Sequence, residues 1–284
     1  MSRTIVVGVD RSPSSAAALR WAHAEARRRG GRVLALYAWG FARPGHAGGE
    51  HTFDPGYTTA RASAELAAFV EQALGTDAAA GIDQRASYAY PPTALLSAAD
   101  IGDLLVVGTR GVGGLRGLRL GSVSRFMLHH TRKPLAVVPP IERPTTGRIV
   151  AGFDGSESAR RALAWAAEEA RLREARLDVV QAWQVPYPVA APMAGYPVVA
   201  DALAETARAG IDEALAIPGL GDLAVPATPC VVQGPAGPAI LDAAEGADLI
   251  VLGTRGHGTV AGALLGSVTH HVVHHATRPV AVVP

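Results

Sequence analysis

One lysine, Lys133, and one cysteine, Cys230, stand in a chain of 284 residues, and each scarcity excludes a chemistry. A single cysteine rules out an intrachain disulfide and any CxxC zinc or redox pair. The lysine sits in Thr131-Arg-Lys-Pro134 rather than in a GxxxxGK(S/T) loop, so the chain is no P-loop NTPase. No GxSxG nucleophile elbow occurs. Aromatic residues make up only 5%, and the six tyrosines and four tryptophans form no basic–aromatic stripe of the kind that stacks single-stranded nucleic acid. Charge is sparse and balanced, at 18% charged residues and a net +1, which gives no gross pull toward nucleic acid or an anionic membrane. No apolar run approaches the ~18 residues that a membrane-spanning helix needs. The N-terminus reaches Asp10 after a few apolar residues, unlike a signal peptide. A cytoplasmic protein is expected.

What is present is globular, with 49% hydrophobic residues, and long enough for about two domains of ~140 residues each. Its organising stretch is Gly108-Thr-Arg-Gly111, then nine residues from Val112 to Leu120, then Gly121-Ser122. It follows the apolar run Asp103-Leu-Leu-Val-Val107. The same pattern returns as Asp248-Leu-Ile-Val-Leu252, Gly253-Thr-Arg-Gly256, nine residues from His257 to Leu265, and Gly266-Ser267. Glycines at strand ends let the backbone turn tightly and approach a ligand closely. A glycine–serine pair opening a helix offers free N–H groups, a hydroxyl and the positive end of the helix dipole. Two copies with one spacing point to an anion site, and Gly108 and Gly253 are expected to stay bare to make room for phosphates.

The whole chain is one unit written twice. Asp10 and Asp154 lie 144 residues apart, as do Trp21 and Trp165, and Trp39 and Trp183; the glycine loops lie 145 apart. Thr131-Arg-Lys-Pro-Leu-Ala-Val-Val138 reappears as Thr277-Arg-Pro-Val-Ala-Val-Val283. Residues 1–139 and 148–284 are read as the two domains, and the proline-rich 140–147 as a short stiff linker. Each copy reads strand–helix four times and then a last strand. In the first, the strands are Ile5–Val9, Val33–Ala38, Gln84–Ala89, Leu104–Val107 and Leu135–Val138. The helices are Ser14–Arg29, capped by Ser12 with Pro13 first, then Ala60–Ala73, Pro92–Ala99 and Ser122–His130. A variable loop runs from Gly40 to Thr59. The second copy repeats the strands as Ile149–Phe153, Leu177–Ala182, Thr228–Val232, Leu249–Leu252 and Val280–Val283. Strands without polar alternation imply a sheet covered on both faces. The predicted fold is α/β, with two tandem Rossmann-like units, each a five-stranded mostly parallel sheet with helices on both faces. In such sheets ligands sit beyond the carboxyl ends of the strands, where Asp10 and the glycine loop both lie.

These residues resemble the universal stress protein family, in its tandem form, over essentially the whole chain. The resemblance rests on the opening strands ending in Asp10 and Asp154, the two glycine loops, and the closing Pro-Leu-Ala-Val-Val and Pro-Val-Ala-Val-Val strands. Family members with that loop bind ATP, so the resemblance implies ATP as cofactor, with or without Mg2+, and up to two adenine nucleotides per chain. It implies that Asp10 and Asp154 face the adenosine and that the backbone at Ala38 and Ala182 borders the adenine. Gly108, Gly111, Gly121 and Ser122, with Gly253, Gly256, Gly266 and Ser267, would hold ribose and phosphates. Gly8, Val9, Ser12, Arg110 and Val123 join the set in the first unit, and Gly152, Phe153, Ser156, Arg255 and Val268 in the second. Arg11 departs from the glycine that the second copy carries in Asp154-Gly-Ser156. In the family the closing strands meet across a two-fold, so an internal pseudo-dimer of the two units is expected, with a homodimer as a further option.

Weaker constellations carry less. Gly256-His-Gly258-Thr-Val-Ala261 fits a dinucleotide pattern but follows the fourth strand of its unit, and no acid lies about 20 residues on. His270 with His274, and His271 with His275, share helical faces at a spacing that binds zinc, yet no cysteine is near to complete a site. Packing and surface histidines are the simpler reading, and no metal site is expected. Cys230 reads as buried filler. Two functions remain: a nucleotide-binding stress-response regulator whose occupancy tunes its shape or partners, or a slow ATP hydrolase or phosphate- or adenylate-transferring enzyme. The loops hold arginine and serine but no acid to direct a water, which favours binding. The first loop carries Arg110, Arg116 and Arg119 with Arg11 beside it, against Arg255 and His257 in the second.

Overall fold

The computed structural model describes residues 3–40, 57–111, 120–141, 143–184, 196–216, 226–256 and 265–284. The chain divides into two compact units, residues 1–143 and 144–284.

The first unit opens with β1 (Thr4–Val9), α1 (Pro13–Arg29) and β2 (Arg32–Ala38), continues with α2 (Thr59–Leu74), α3 (Thr76–Ala79) and β3 (Ile82–Ser87), and closes with α4 (Pro91–Ala99), β4 (Leu104–Gly108), α5 (Ser122–His130) and β5 (Leu135–Val138). Its sheet runs β3-β2-β1-β4-β5 with parallel pairing throughout. Strand order therefore reverses at β1 and β4, whose carboxyl ends carry Asp10 and the glycine loop. The central strands are sealed: Ile5, Val6, Val7, Leu105 and Val106 are each 1% exposed or less. Helix α1 packs on β1 and β4 and beside α2, while α4 packs on β1 and β2 and beside α5, so the sheet is clothed on both faces.

Local chemistry explains the boundaries of α1. Ser12 sits in an extended conformation and its hydroxyl accepts from Ser15 N, Pro13 occupies the first turn, and Arg27–Arg29 face the negative end of the helix dipole. Gly30 then ends the helix at φ 59°, a left-handed turn that glycine takes without penalty. Glu25 is wholly buried on this helix and paired with Arg29, whose Nε lies 2.6 Å from Glu25 Oε1.

The second unit repeats the plan: β6 (Arg148–Gly152), α6 (Glu157–Arg173), β7 (Arg176–Trp183), α7 (Tyr196–Leu215), β8 (Ala227–Gln233), α8 (Ala236–Ala243), β9 (Leu249–Gly253), α9 (Ser267–His275) and β10 (Val280–Val283). Its order is β8-β7-β6-β9-β10, again parallel. Ser156 caps α6, and Glu169, also fully buried, pairs with Arg173.

Two expectations shift, and one short helix goes unread. Strand β3 lies two residues earlier than Gln84–Ala89, because Ile82 is the residue that turns into the core and Ala89 N instead closes a turn onto Ser87 O. Helix α3, a single turn after Gly75, is too short to show a periodicity. Cys230 is half-buried rather than buried, since β8 is the outer strand of its unit's order and four of its residues are only partly covered.

Candidate functional site

Strand β1 delivers Asp10 to the start of a tight turn into α1. Asp10 Oδ1 accepts from Ser12 N at 3.0 Å, an Asx-type turn that fixes the carboxylate. The residue between them, Arg11, takes φ 66°, and its counterpart Gly155 takes φ 83°. Both copies thus need the left-handed region here; the second supplies glycine and the first accepts the strain of a side chain. Asp154 Oδ1 accepts from Ser156 N in the same way, also at 3.0 Å.

The glycine loop closes on this turn. A Cβ added at Gly111 would run into Asp10 Oδ2, and one at Gly256 into Asp154 Oδ2. Ser12 Oγ donates to Arg110 O at 3.1 Å, and Ser156 Oγ to Arg255 O at 3.3 Å. Since each hydroxyl also caps its helix, Ser12 and Ser156 are occupied within the protein and act on the loop's position. Arg110 and Arg255 are exposed. Gly121 N, after the loop, returns to Thr109 O at 2.7 Å, as Gly266 N does to Thr254 O at 2.7 Å. The loop's two glycine ends are therefore pinched together in both units.

Helices α5 and α9 begin on Gly121 and Gly266, neither with a side-chain cap. Their first residues, Ser122 and Ser267, are exposed, and Val123 and Val268 are half-buried behind them. This contrasts with α1 and α6, which Ser12 and Ser156 cap. An uncapped helix N-terminus presents orphan N–H groups and the positive dipole end to whatever lies in front of it. Ala38 ends β2 and Ala182 is the penultimate residue of β7, one strand over from Asp10 and Asp154.

Not every expected glycine serves an open space. A Cβ at Gly108 would lie 2.7 Å from the Ser14 carbonyl carbon, and one at Gly253 2.8 Å from that of Ser158. These two glycines are bare so that α1 and α6 can approach β4 and β9. Gly8 and Gly152 likewise face Leu95 and Ile240, and Val9 and Phe153 are buried. Arg116, Arg119 and His257 lie outside the described residues.

The sequence reading missed several supports. Ser124 Oγ donates to Gly108 O at 2.6 Å and Thr269 Oγ1 to Gly253 O at 2.7 Å, tying the uncapped helices to the strand ends. Ser14 and Thr109 hydroxyls lie 3.4 Å apart, as Ser158 and Thr254 do at 3.3 Å. Matching hydroxyls at matching places in the two copies were the available signal. On α9, His275 Nδ1 is 2.8 Å from His271 O, and the two rings stack at 4.3 Å. Phe126 and His130 stack in the equivalent place on α5 at 3.9 Å, so the histidine pair fills a packing position. Among the described residues no His, Cys, Asp and Glu cluster could hold a metal ion.

The model of the family described as "Universal stress protein family" matches residues 1–139 and 145–284. Universal stress protein Rv2005c of Mycobacterium tuberculosis is 29% identical, over 98% of this chain and 96% of its own. Universal stress protein Rv1996 of the same species is 30% identical, over 98% and 94%. Among solved structures, a universal stress protein from Archaeoglobus fulgidus matches with a TM-score of 0.69 at 20% identity, over 100% of this chain and 98% of that one. A functionally unknown Pseudomonas aeruginosa protein, PA1789, matches at 0.67 and 18% identity, over 99% and 92%, and both attest the fold alone. With its strand-end aspartate locked against a glycine loop in each half, the chain belongs to the universal stress protein family and carries two tandem copies of its domain.

Proposed function

We propose that the protein binds ATP, with or without Mg2+ on its phosphates, at up to two sites per chain, and acts in the cytoplasm as a stress-response regulator. The observation that carries this is the uncapped N-terminus of α5, and again of α9, opening beside a glycine loop pinched against an aspartate. Orphan N–H groups and a helix dipole favour phosphate, and exposed Arg110 and Arg255 add charge without a fixed partner geometry. A carboxylate fits the other end of a nucleotide, where ribose hydroxyls donate. Asp10, Gly111, Gly121 and Ser122 would form one site, and Asp154, Gly256, Gly266 and Ser267 the other. The bound nucleotide is retained rather than turned over, and the liganded shape is read by a partner protein or a second copy of the chain.

Nucleotide released from the purified protein by denaturation should be ATP or ADP on ion-exchange chromatography, and calorimetric titration of the stripped protein with ATP should show heat. A protein that carries none and gives no heat would overturn this reading.

A further inference from the structure

We propose that Glu65 holds the Arg11 guanidinium away from the first unit's nucleotide site and so sets that site's affinity for a nucleoside triphosphate. The second unit has Gly155 in place of Arg11 and no such control. The inference rests on the nucleotide-binding reading above.

Arg11 stands at the site by its backbone. Its neighbour Asp10 abuts Gly111, and its other neighbour Ser12 bonds Arg110 O. A long flexible side chain rooted there can reach a ligand held by the loop. It points elsewhere: Nη1 lies 2.5 Å from Glu65 Oε2, and the guanidinium carbon sits 5.4 Å from the centre of the Tyr37 ring. A side chain at this left-handed position is strained, and glycine at Gly155 shows that the turn forms without one.

Glu65 is equipped to let go. Its other contacts are Tyr57 OH, donating to Oε2 at 2.5 Å, and Arg61 Nε, 3.1 Å from Oε1. Tyr57 OH is itself 3.3 Å from Tyr37 OH. If Arg11 turns to a phosphate, Glu65 keeps a cation and a hydroxyl, so no carboxylate is stranded. The pair is also partly open to water, with side-chain exposures of 42% for Arg11 and 24% for Glu65. Such water-exposed pairs contribute little, so a multiply charged ligand can outcompete this one. Glu65 thus acts as a positioning residue for Arg11, and competes with the ligand for it.

The test is calorimetric titration with ATP of the full-length protein carrying Gly256→Ala, chosen to weaken the second site by displacing Asp154. Adding Glu65→Gln keeps the shape but removes the charge. ATP should then bind roughly threefold to tenfold tighter at low salt, with the gain fading as salt screens the released guanidinium. In the Arg11→Gly background the same Glu65→Gln change should move affinity less than about twofold. Thermal unfolding of each variant checks the fold. A merely structural Glu65 would weaken binding when replaced, so unchanged or weaker binding in Glu65→Gln overturns the inference. A gain that persists without Arg11 overturns it too. No ATP binding by the Gly256→Ala parent overturns the nucleotide reading itself, and this inference with it.

Discussion

Asp10 Oδ2 fills the space that a side chain on Gly111 would need, and Asp154 Oδ2 does the same against Gly256. The carboxylate and the loop are thus fitted to one another, and neither can be altered without moving the other. Gly111→Ala should displace Asp10 and weaken ATP at the first site by tenfold or more, as a rough expectation for a misplaced ligand group. Gly256→Ala should do so at the second. Nucleotide content and calorimetric stoichiometry should each fall by half in either variant and to nothing in the pair. Full occupancy in the double variant would show that these glycines are structural only.

Gly108 and Gly253 give the contrasting case. An added methyl meets the Ser14 or Ser158 backbone, which cannot rotate aside. Gly108→Ala should destabilise the first unit by about 1–3 kcal/mol through overpacking, read as a lower unfolding temperature. Gly121→Ala, whose nearest atoms would be 3.5 Å away, should leave unfolding unchanged and report on the ligand alone. Equal thermal losses in both variants would overturn this distinction.

That difference shows how far the sequence could be read. The repeat, the strand–helix alternation and the meeting of Asp10 with the glycine loop follow from apolar runs and glycine spacing, and ATP itself rests on the family resemblance. Which glycine faces a ligand and which faces a helix does not follow, because both leave the same letter. Arg11 likewise reads as a spare cation for phosphate, whereas its partner Glu65 lies 54 positions away on α2 and no spacing rule joins them. The edge strand β3 was misplaced because its exposed residues carry little apolar signal.

Glu25 and Arg29 were legible only as members of a helix. Their pair is almost closed to water, with side-chain exposures of 0% and 9%. Arg29→Met would take the nearer of two cations from a buried carboxylate, leaving Arg28 Nη1 at 3.5 Å from Glu25 Oε2, and should destabilise the fold by about 1–3 kcal/mol. Chemical denaturation would show a lower midpoint with an unchanged slope. A loss below about 0.5 kcal/mol would mean that Glu25 is held by other groups.

The network around Glu65 should shape the pH dependence. Burial alone would raise the Glu65 carboxyl, but the Tyr57 hydrogen bond and the Arg11 and Arg61 charges outweigh it and hold it below its ordinary 4.5. Burial first, then hydrogen bonds to Glu65 and Tyr37, push the Tyr57 hydroxyl well above its ordinary 10.0. A lowered acid contributes stability above its unfolded pKa and loses it as pH falls through the folded value. A raised phenol contributes below its unfolded pKa and loses it as pH climbs through the folded value. The network should therefore be intact between these limits. Phenolate absorbance should show Tyr57 titrating late, brought back toward the ordinary range by Glu65→Gln, with that late step missing in Tyr57→Phe. A late titration that survives Glu65→Gln unchanged would detach Tyr57 from the network.

ATP should be held and not consumed. Hydrolysis needs interactions stronger in the transition state than in the ground state, and a water directed at the terminal phosphate. Asp10 Oδ1 and Asp154 Oδ1 are already engaged by Ser12 N and Ser156 N, in turns that fix them at the strand ends. Ser12 and Ser156 spend their hydroxyls on the loop carbonyls and the helix caps. What remains on offer among the described residues, the helix N–H groups with Ser122, Ser267, Arg110 and Arg255, stabilises a triphosphate as it stands. A missing general base typically leaves ~10²–10⁴-fold of rate unclaimed, so turnover should take minutes to hours. A steady-state phosphate-release assay with magnesium, using the Gly111→Ala/Gly256→Ala protein as the control for contaminating ATPase, measures this directly. Turnover near 1 per second that vanishes in the control would make the protein an enzyme and the retained-ligand reading wrong.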